Sequence, residues 1–130
     1  MAKKRSRYQE LERTVTGVLI ADTIFFLIYL IAAGNGNTAG NPCPVYDRDT
    51  GKILLMFNRN TAAGHEGLIL QGKAPRTVHM TESTDNGETW APERDITVQT
   101  KMPFWTWHAV GPCHALQLTS GRIVVPCNHA

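Results

Sequence analysis

Several chemistries are excluded by what the sequence lacks. It has no glycine-rich loop to cradle a phosphate and no serine at the apex of a nucleophile elbow. Cysteine is scarce: among 130 residues there are three, Cys43, Cys113 and Cys127. That is too few for a disulfide scaffold, and an odd number leaves at least one thiol unpaired within the chain. Charge of one sign is also missing. The net charge is +2, and residues 35–130 carry eight basic and eight acidic side chains. That part has no basic excess to attract nucleic acid.

What is present divides in two. Residues 1–14 are polar, with Lys3, Lys4, Arg5, Arg7 and Arg13 ahead of an apolar run from Val15 to Gly34. About 20 apolar residues suffice for a helix to cross a hydrocarbon core, and the leading positive charges predict a cytoplasmic N-terminus with the remainder outside. Asp22 opposes a span, since a carboxylate at mid-membrane costs about 2.5–3.5 kcal/mol on insertion scales. Two other readings stay open: a secretory signal peptide cleaved near Ala32-Ala33-Gly34, or a buried soluble helix. The expected localisation is therefore membrane-anchored with the rest extracytoplasmic, or secreted. Residues 35–40, Asn-Gly-Asn-Thr-Ala-Gly, read as a joint between this segment (1–34) and a domain over 41–130.

That domain reads as strands. Asn41 to Asn60 predicts a hairpin: Pro42 and Pro44 suit an edge strand, Asp47 to Lys52 is turn chemistry, and the apolar run Ile53 to Phe57 suits a strand buried on both faces. Thr61 to Pro75 reads as a long loop carrying Glu66 and a short apolar piece, Leu68 to Leu70. Arg76 to Ser83 is a strand. It feeds Ser83-Thr84-Asp85-Asn86-Gly87-Glu88-Thr89-Trp90, a tight turn in which Asp85 accepts turn N–H groups and Gly87 supplies positive φ. Thr89 and Trp90 restart a strand, with the indole packed underneath. Ile96 to Val98 predicts a further short strand. Phe104, Trp105 and Trp107 suit filling between sheets, with sugar stacking as the other reading. A second hairpin spans His114 to His129 around Thr119-Ser120-Gly121, which sets Cys113 opposite Cys127, bridged or as buried free thiols. Neither these cysteines with His114 and His129 nor Asp47 with Asp49 has metal-ligand spacing, so no metal is expected.

The turn S-x-D-x-G-x-T-W resembles the Asp-box of the sialidase (neuraminidase) superfamily. The resemblance extends to Asn41-Pro42-Cys43-Pro44, to Asp49-Thr50-Gly51-Lys52 with its apolar strand, and to Val110-Gly111-Pro112-Cys113-His114-Ala115-Leu116-Gln117-Leu118 with Gly121 to Pro126 after it. It covers residues 37–130, all pieces in family order. It implies an all-β chain, part of a six-bladed β-propeller (about two blades) behind the N-terminal transmembrane or signal-type helix. The implied activity is release of terminal sialic acid from glycans without any cofactor. Family members grip the sugar carboxylate with three arginines, use a glutamate-activated tyrosine nucleophile and protonate the leaving group with an aspartic acid. The tyrosine makes chemical sense, since a carboxylate nucleophile would be repelled by the substrate's own carboxylate.

No residue here matches those catalytic groups. The family's first arginine lies in an R-I-P motif upstream of N-P-C-P, where this chain has its apolar segment. Tyr46 and Arg76 inherit nothing by position. The expectation is a fragment, inactive by itself, that retains pocket-edge residues: Asn41, Glu66, Asn128 and His129. Ser83, Asp85, Gly87, Thr89 and Trp90 form the structural box, and Cys113 replaces the family's usual second glycine. Expected partners are sialylated glycans, a membrane through the N-terminal helix, and copies of itself through exposed blade faces. The alternative is a non-catalytic carbohydrate-binding or adhesive module.

Overall fold

The computed structural model describes residues 37–130. The expected N-terminal helix lies outside them, and among the described residues no helix is long and apolar enough to cross a membrane.

The main sheet is a four-stranded antiparallel meander, β1 (Thr38–Asp47), β2 (Lys52–Asn60), β3 (Arg76–Ser83) and β4 (Arg94–Asp95), in sequence order. β1 begins at Thr38, inside the stretch read as a joint, because Thr38 to Gly40 pair with Asn58 to Asn60 before a register shift between Gly40 and Cys43. The β1–β2 turn closes as its composition demands. The Asp47 carboxylate accepts from Asp49 N (3.1 Å) and Thr50 Oγ1 (2.6 Å), and Gly51 takes φ 73°.

β2 is the central strand, and its apolar run is explained by burial on both faces. Leu55 and Phe57 pack with Ala39 and Trp90 on one side. Met56 packs with Cys43, Val45, Val78, Val110 and Ala115 on the other. Full burial of such side chains contributes about 1.5–3 kcal/mol each. The second face is covered by two short ladders, β5 (His108–Val110) with β8 (Cys127–His129), and β6 (Leu116–Gln117) with β7 (Ile123–Val124). One blade-like sheet is thus complete, the second is in pieces, and among the described residues no sheet closes.

Three local expectations are corrected. The loop after β2 contains a short helix, α1 (Glu66–Leu70), which buries Ile69 completely. Thr89 and Trp90 do not restart a strand. Ala91 N reaches Glu82 O at 2.9 Å, but Pro92 has no N–H to continue a ladder, and pairing resumes only at Arg94. Ile96 to Val98 is not a strand either. Ile96 N still bonds Val78 O, but Thr97 Oγ1 then takes Val78 N (2.9 Å) and the Asp95 carboxylate takes Thr97 N (2.8 Å). The ladder donor is consumed, and the chain turns into α2 (Thr97–Thr100).

The second hairpin turns at Gly121 (φ 86°) as expected, pairing Leu116 with Val124 and Gln117 with Ile123. It does not bring the cysteines together as buried partners. Beyond Pro126 the chain leaves that ladder for β5, where Cys127 pairs with Val110. Cys113 and Cys127 are free and exposed, and only Cys43 is buried. Burial, reinforced by the neighbouring Cys113 and Cys127 thiols, pushes Cys43 up to about 11, so it stays protonated at neutral pH.

A polar clasp joins the two parts. Gln117 Nε2 donates to the carboxylates of Asp47 (2.7 Å) and Asp49 (3.2 Å), while its Oε1 accepts from Arg48 N (2.7 Å). Gly121 sits so close that a Cβ would lie 2.6 Å from Asp49 Oδ2. At the Cys113 substitution the backbone stays tied to β1. Cys113 N bonds Pro42 O at 3.3 Å, and a Cβ on Gly111 would lie 2.9 Å from that same oxygen.

Candidate functional site

The Ser83–Trp90 turn folds around its acid. Asp85 Oδ1 accepts from Ser83 Oγ (2.8 Å) and Thr89 N (2.9 Å), and Oδ2 accepts from Thr89 Oγ1 (2.5 Å). Ser83 Oγ in turn accepts the Gly87 N–H at 2.8 Å, and Trp90 Nε1 donates to Gly87 O at 3.1 Å. Asn86 and Gly87 adopt φ 61° and 92°. The Thr89 hydroxyl, with the Thr89 amide and Ser83, draws the Asp85 carboxyl down to about 2. Both carboxylate oxygens are engaged by the turn itself, which gives this acid a structural role.

The residues with binding chemistry gather elsewhere, where the β1 bulge, the start of β3 and the β5–β8 ladder meet. The centre is Arg76, only 5 % exposed. Its Nε donates to His108 O (3.2 Å), Nη1 to Asn60 Oδ1 (3.0 Å) and Nη2 to Asn41 Oδ1 (3.0 Å). Its guanidinium lies 4.2 Å from the centre of the Trp107 ring, a stacked cation–π pair. Burial pushes the Arg76 pKa down and the nearby Glu66 charge pulls it back. None of its hydrogen-bond acceptors is charged, so the cation is neutralised only at a distance.

Asn58 fixes this arrangement from below. Its amide donates to Thr77 O (3.1 Å) and His108 O (3.0 Å) and accepts from Val110 N (3.0 Å), stitching β2, β3 and β5 together. Lys101 adds a second cation, donating to Thr106 O at 3.1 Å and Arg76 O at 3.4 Å. Burial and the Arg76 charge both lower its pKa. His108 is buried, and burial lowers its pKa too, so it is neutral at pH 7.

Of the pocket-edge residues read from sequence, Asn41 sits at the β1 bulge in a left-handed conformation (φ 57°), its oxygen on Arg76. Asn128 lies on β8, its oxygen accepting from Trp107 Nε1 at 2.7 Å. His129 stacks flat on Trp105, ring centres 3.9 Å apart. Glu66 opens α1, exposed, and reaches the group only through its charge on Arg76. The aromatic cluster does not simply fill space between sheets: Phe104 is 79 % exposed, because the segment after α2 is a turn and not a strand. With Lys73, Lys101 and Trp105 it borders an open cavity of about 430 Å³.

Arg76 and Lys101 are the residues that sequence reasoning missed, and Trp107 was read there only as core filling or sugar stacking, not as the partner of Arg76. A charged residue at a strand start is usually solvated, and nothing in its spacing marks Arg76 as buried. The one available signal was the alternation of Trp105 and Trp107, which an extended chain places on one face. Chemically, the group offers two cations, two amides and exposed ring faces, a set for binding an acidic, oxygen-rich ligand. Among the described residues no cluster of His, Cys, Asp and Glu could hold a metal ion.

Residues 29–130 match the family model of the BNR repeat-like domain. Sialidase-3 of Bos taurus is 36% identical over 97 residues, covering 70% of this chain and 22% of that protein. The exo-alpha-sialidase of Aspergillus fumigatus is 33% identical over 109 residues, 75% of this chain and 27% of that one. Sialidase-4 of Mus musculus is 39% identical over 92 residues, 66% and 19%. The Hadza microbial sialidase Hz136 superposes with a TM-score of 0.64 at 24% identity, over 72% of this chain and 20% of that chain, a likeness of fold. The chain thus spans about a fifth to a quarter of the length of these relatives.

Proposed function

The chain belongs to the BNR repeat-like, sialidase-like glycoside hydrolase family, and from that premise we propose that it is a fragment of an exo-alpha-sialidase that supplies part of the sugar pocket's edge and has no turnover by itself. The observation that carries this reading is the Asn41–Arg76–Trp107–Asn128 assembly, which joins two resemblance-derived pocket residues through a buried cation. Its groups bind and orient. None is an activated nucleophile, and the one nearby carboxylate, Glu66, is exposed. Terminal sialic acid carries the carboxylate and hydroxyl oxygens that such a rim would take.

The test is incubation of the purified chain with a fluorogenic sialoside. No release above blank is expected. Turnover abolished by a sialidase inhibitor would overturn the inactivity. Saturation-transfer NMR with sialyllactose should show contact with the sialic acid moiety, and an absence of transfer would overturn the pocket reading.

A second reading, a non-catalytic carbohydrate-binding or adhesive module, is favoured by one feature. Exposed Phe104 and the Trp105–His129 stack offer ring faces beside Lys101, a surface for sugar stacking. Retention of glycans on an array without any hydrolysis would select it. We further propose that residues 1–34 direct this part outside the cytoplasm, as an anchor or as a cleaved signal. N-terminal sequencing of membrane and medium fractions tells the two apart, and recovery of the intact chain only from cytosol would refute both.

A further inference from the structure

Two of the pocket-edge residues are asparagines, and the value of an asparagine at a binding rim depends on which end of its amide faces the ligand. One end accepts hydrogen bonds and the other donates two. Here the partners decide which end faces where. Asn41 Oδ1 is 3.0 Å from Arg76 Nη2, and Asn128 Oδ1 is 2.7 Å from Trp107 Nε1. Guanidinium and indole nitrogens are donors only. An amide nitrogen in either place would set donor against donor. The carbonyl ends are therefore compelled inward by chemistry, independently of how either amide is assigned.

Arg76 and Trp107 are themselves one unit. The guanidinium lies 4.2 Å from the indole ring centre, and two further bonds, to Asn60 Oδ1 and His108 O, prevent it from turning. Asn41 is held at φ 57°, a left-handed conformation that asparagine tolerates better than most residues. Neither Asn41 Nδ2 nor Asn128 Nδ2 donates a hydrogen bond to another described residue, and Asn128 is exposed.

We propose that Arg76 and Trp107 are positioning residues that hold Asn41 and Asn128 with their amide oxygens inward and their NH2 groups outward, making this rim a donor surface selective for the carboxylate, carbonyl and hydroxyl oxygens of an acidic sugar. The ligand class rests on the sialidase reading above; the orientation does not. The buried cation gives the rim its sign. An anion gains from Arg76 across the amides without displacing it from its neutral acceptors, so a neutral sugar of the same shape is the poorer ligand.

Three substitutions in the full chain, held in detergent micelles, test this. Trp107→Phe keeps a ring over Arg76 and removes the N–H. The Asn128 side-chain amide should then pass from the rigid to the flexible range of NMR order parameter, from above about 0.8 to below about 0.6. The Val110 backbone amide, held by Asn58, should not move, which separates loss of positioning from loss of fold. An unchanged Asn128 order parameter overturns the proposal. Arg76→Lys should free the Asn41 amide in the same way, and an Asn41 amide that stays rigid overturns it equally. Asn128→Asp keeps an acceptor for Trp107 but turns an acceptor outward. Sialyllactose binding should weaken at least about fivefold, the scale of one hydrogen bond, while lactose binding changes less. Equal sialyllactose affinity overturns the donor-rim assignment. If the unsubstituted chain binds no sialyllactose while both amides respond as described, the sialoside reading fails and the positioning role stands.

Discussion

Asp85 shows how one side chain determines a turn. Its carboxyl is held at about 2 against an ordinary 3.8, chiefly by the Thr89 hydroxyl and then by the Thr89 amide and Ser83. The sign of the pH effect follows from which state protonates first. On acidification the unfolded chain takes up its proton near 3.8 while the folded turn resists until about 2. The stabilisation is complete above pH 3.8 and is lost as pH falls through that window. The expected outcome is an Asp85 carboxyl titration midpoint near 2 by carbon-13 shift; a midpoint near 3.8 would mean that the turn is open. Ser83 is the second key residue, because its hydroxyl is the acceptor for the buried Gly87 N–H. Ser83→Ala leaves that donor unmet, a cost of about 1–3 kcal/mol. Amide exchange at Gly87 should accelerate roughly ten- to hundredfold, and an unchanged rate would show that another acceptor replaces the hydroxyl.

At the scale of elements, β2 was legible in sequence and the segment after Trp90 was not. The run Ile53 to Phe57 has no polar position to turn to water, so both of its faces had to be covered whatever lay around it. Phe57 is 1 % exposed beneath Trp90. Phe57→Ala should cost about 3–5 kcal/mol through lost transfer energy and a residual cavity. A fall in urea midpoint, with a red shift of Trp90 emission, is the expected result. A loss below about 1 kcal/mol would mean that the site collapses to fill the gap. Ile96 to Val98 has the composition of a strand but leads into α2, because Asp95 and Thr97 compete with the backbone for the ladder's bonds. That competition depends on Val78 lying alongside, which no local pattern reveals. The proposed pocket edge divides the same way. Asn41 and Asn128 come from motif order, whereas Arg76 meets Asn41, and Trp107 meets Asn128, only when β3, the β5–β8 ladder and the β1 bulge converge.

At the scale of the molecule, the β6–β7 hairpin leaves apolar side chains uncovered: Leu116 is 57 % exposed, Leu118 in its turn 45 % and Val124 44 %. Blade-like units bury such faces against neighbouring units, and bare strand edges recruit others. Residues 35–130 alone should therefore self-associate and melt broadly. Leu116→Lys together with Val124→Lys should shift sedimentation towards monomer, and a sharp two-state melt of a monomeric 35–130 polypeptide would refute the prediction.

Local chemistry by itself determined the turns and the buried strand of this protein. Asx bonding, positive-φ glycines and unbroken apolar runs act over a few residues and need no partner from afar. Only the tertiary structure decided which strand Cys127 joins, how Gln117 clasps the two hairpins, and that a guanidinium is buried behind two amides. Those outcomes depend on competition among distant groups for the same hydrogen bonds, and the winner is set by what packing brings within 3 Å.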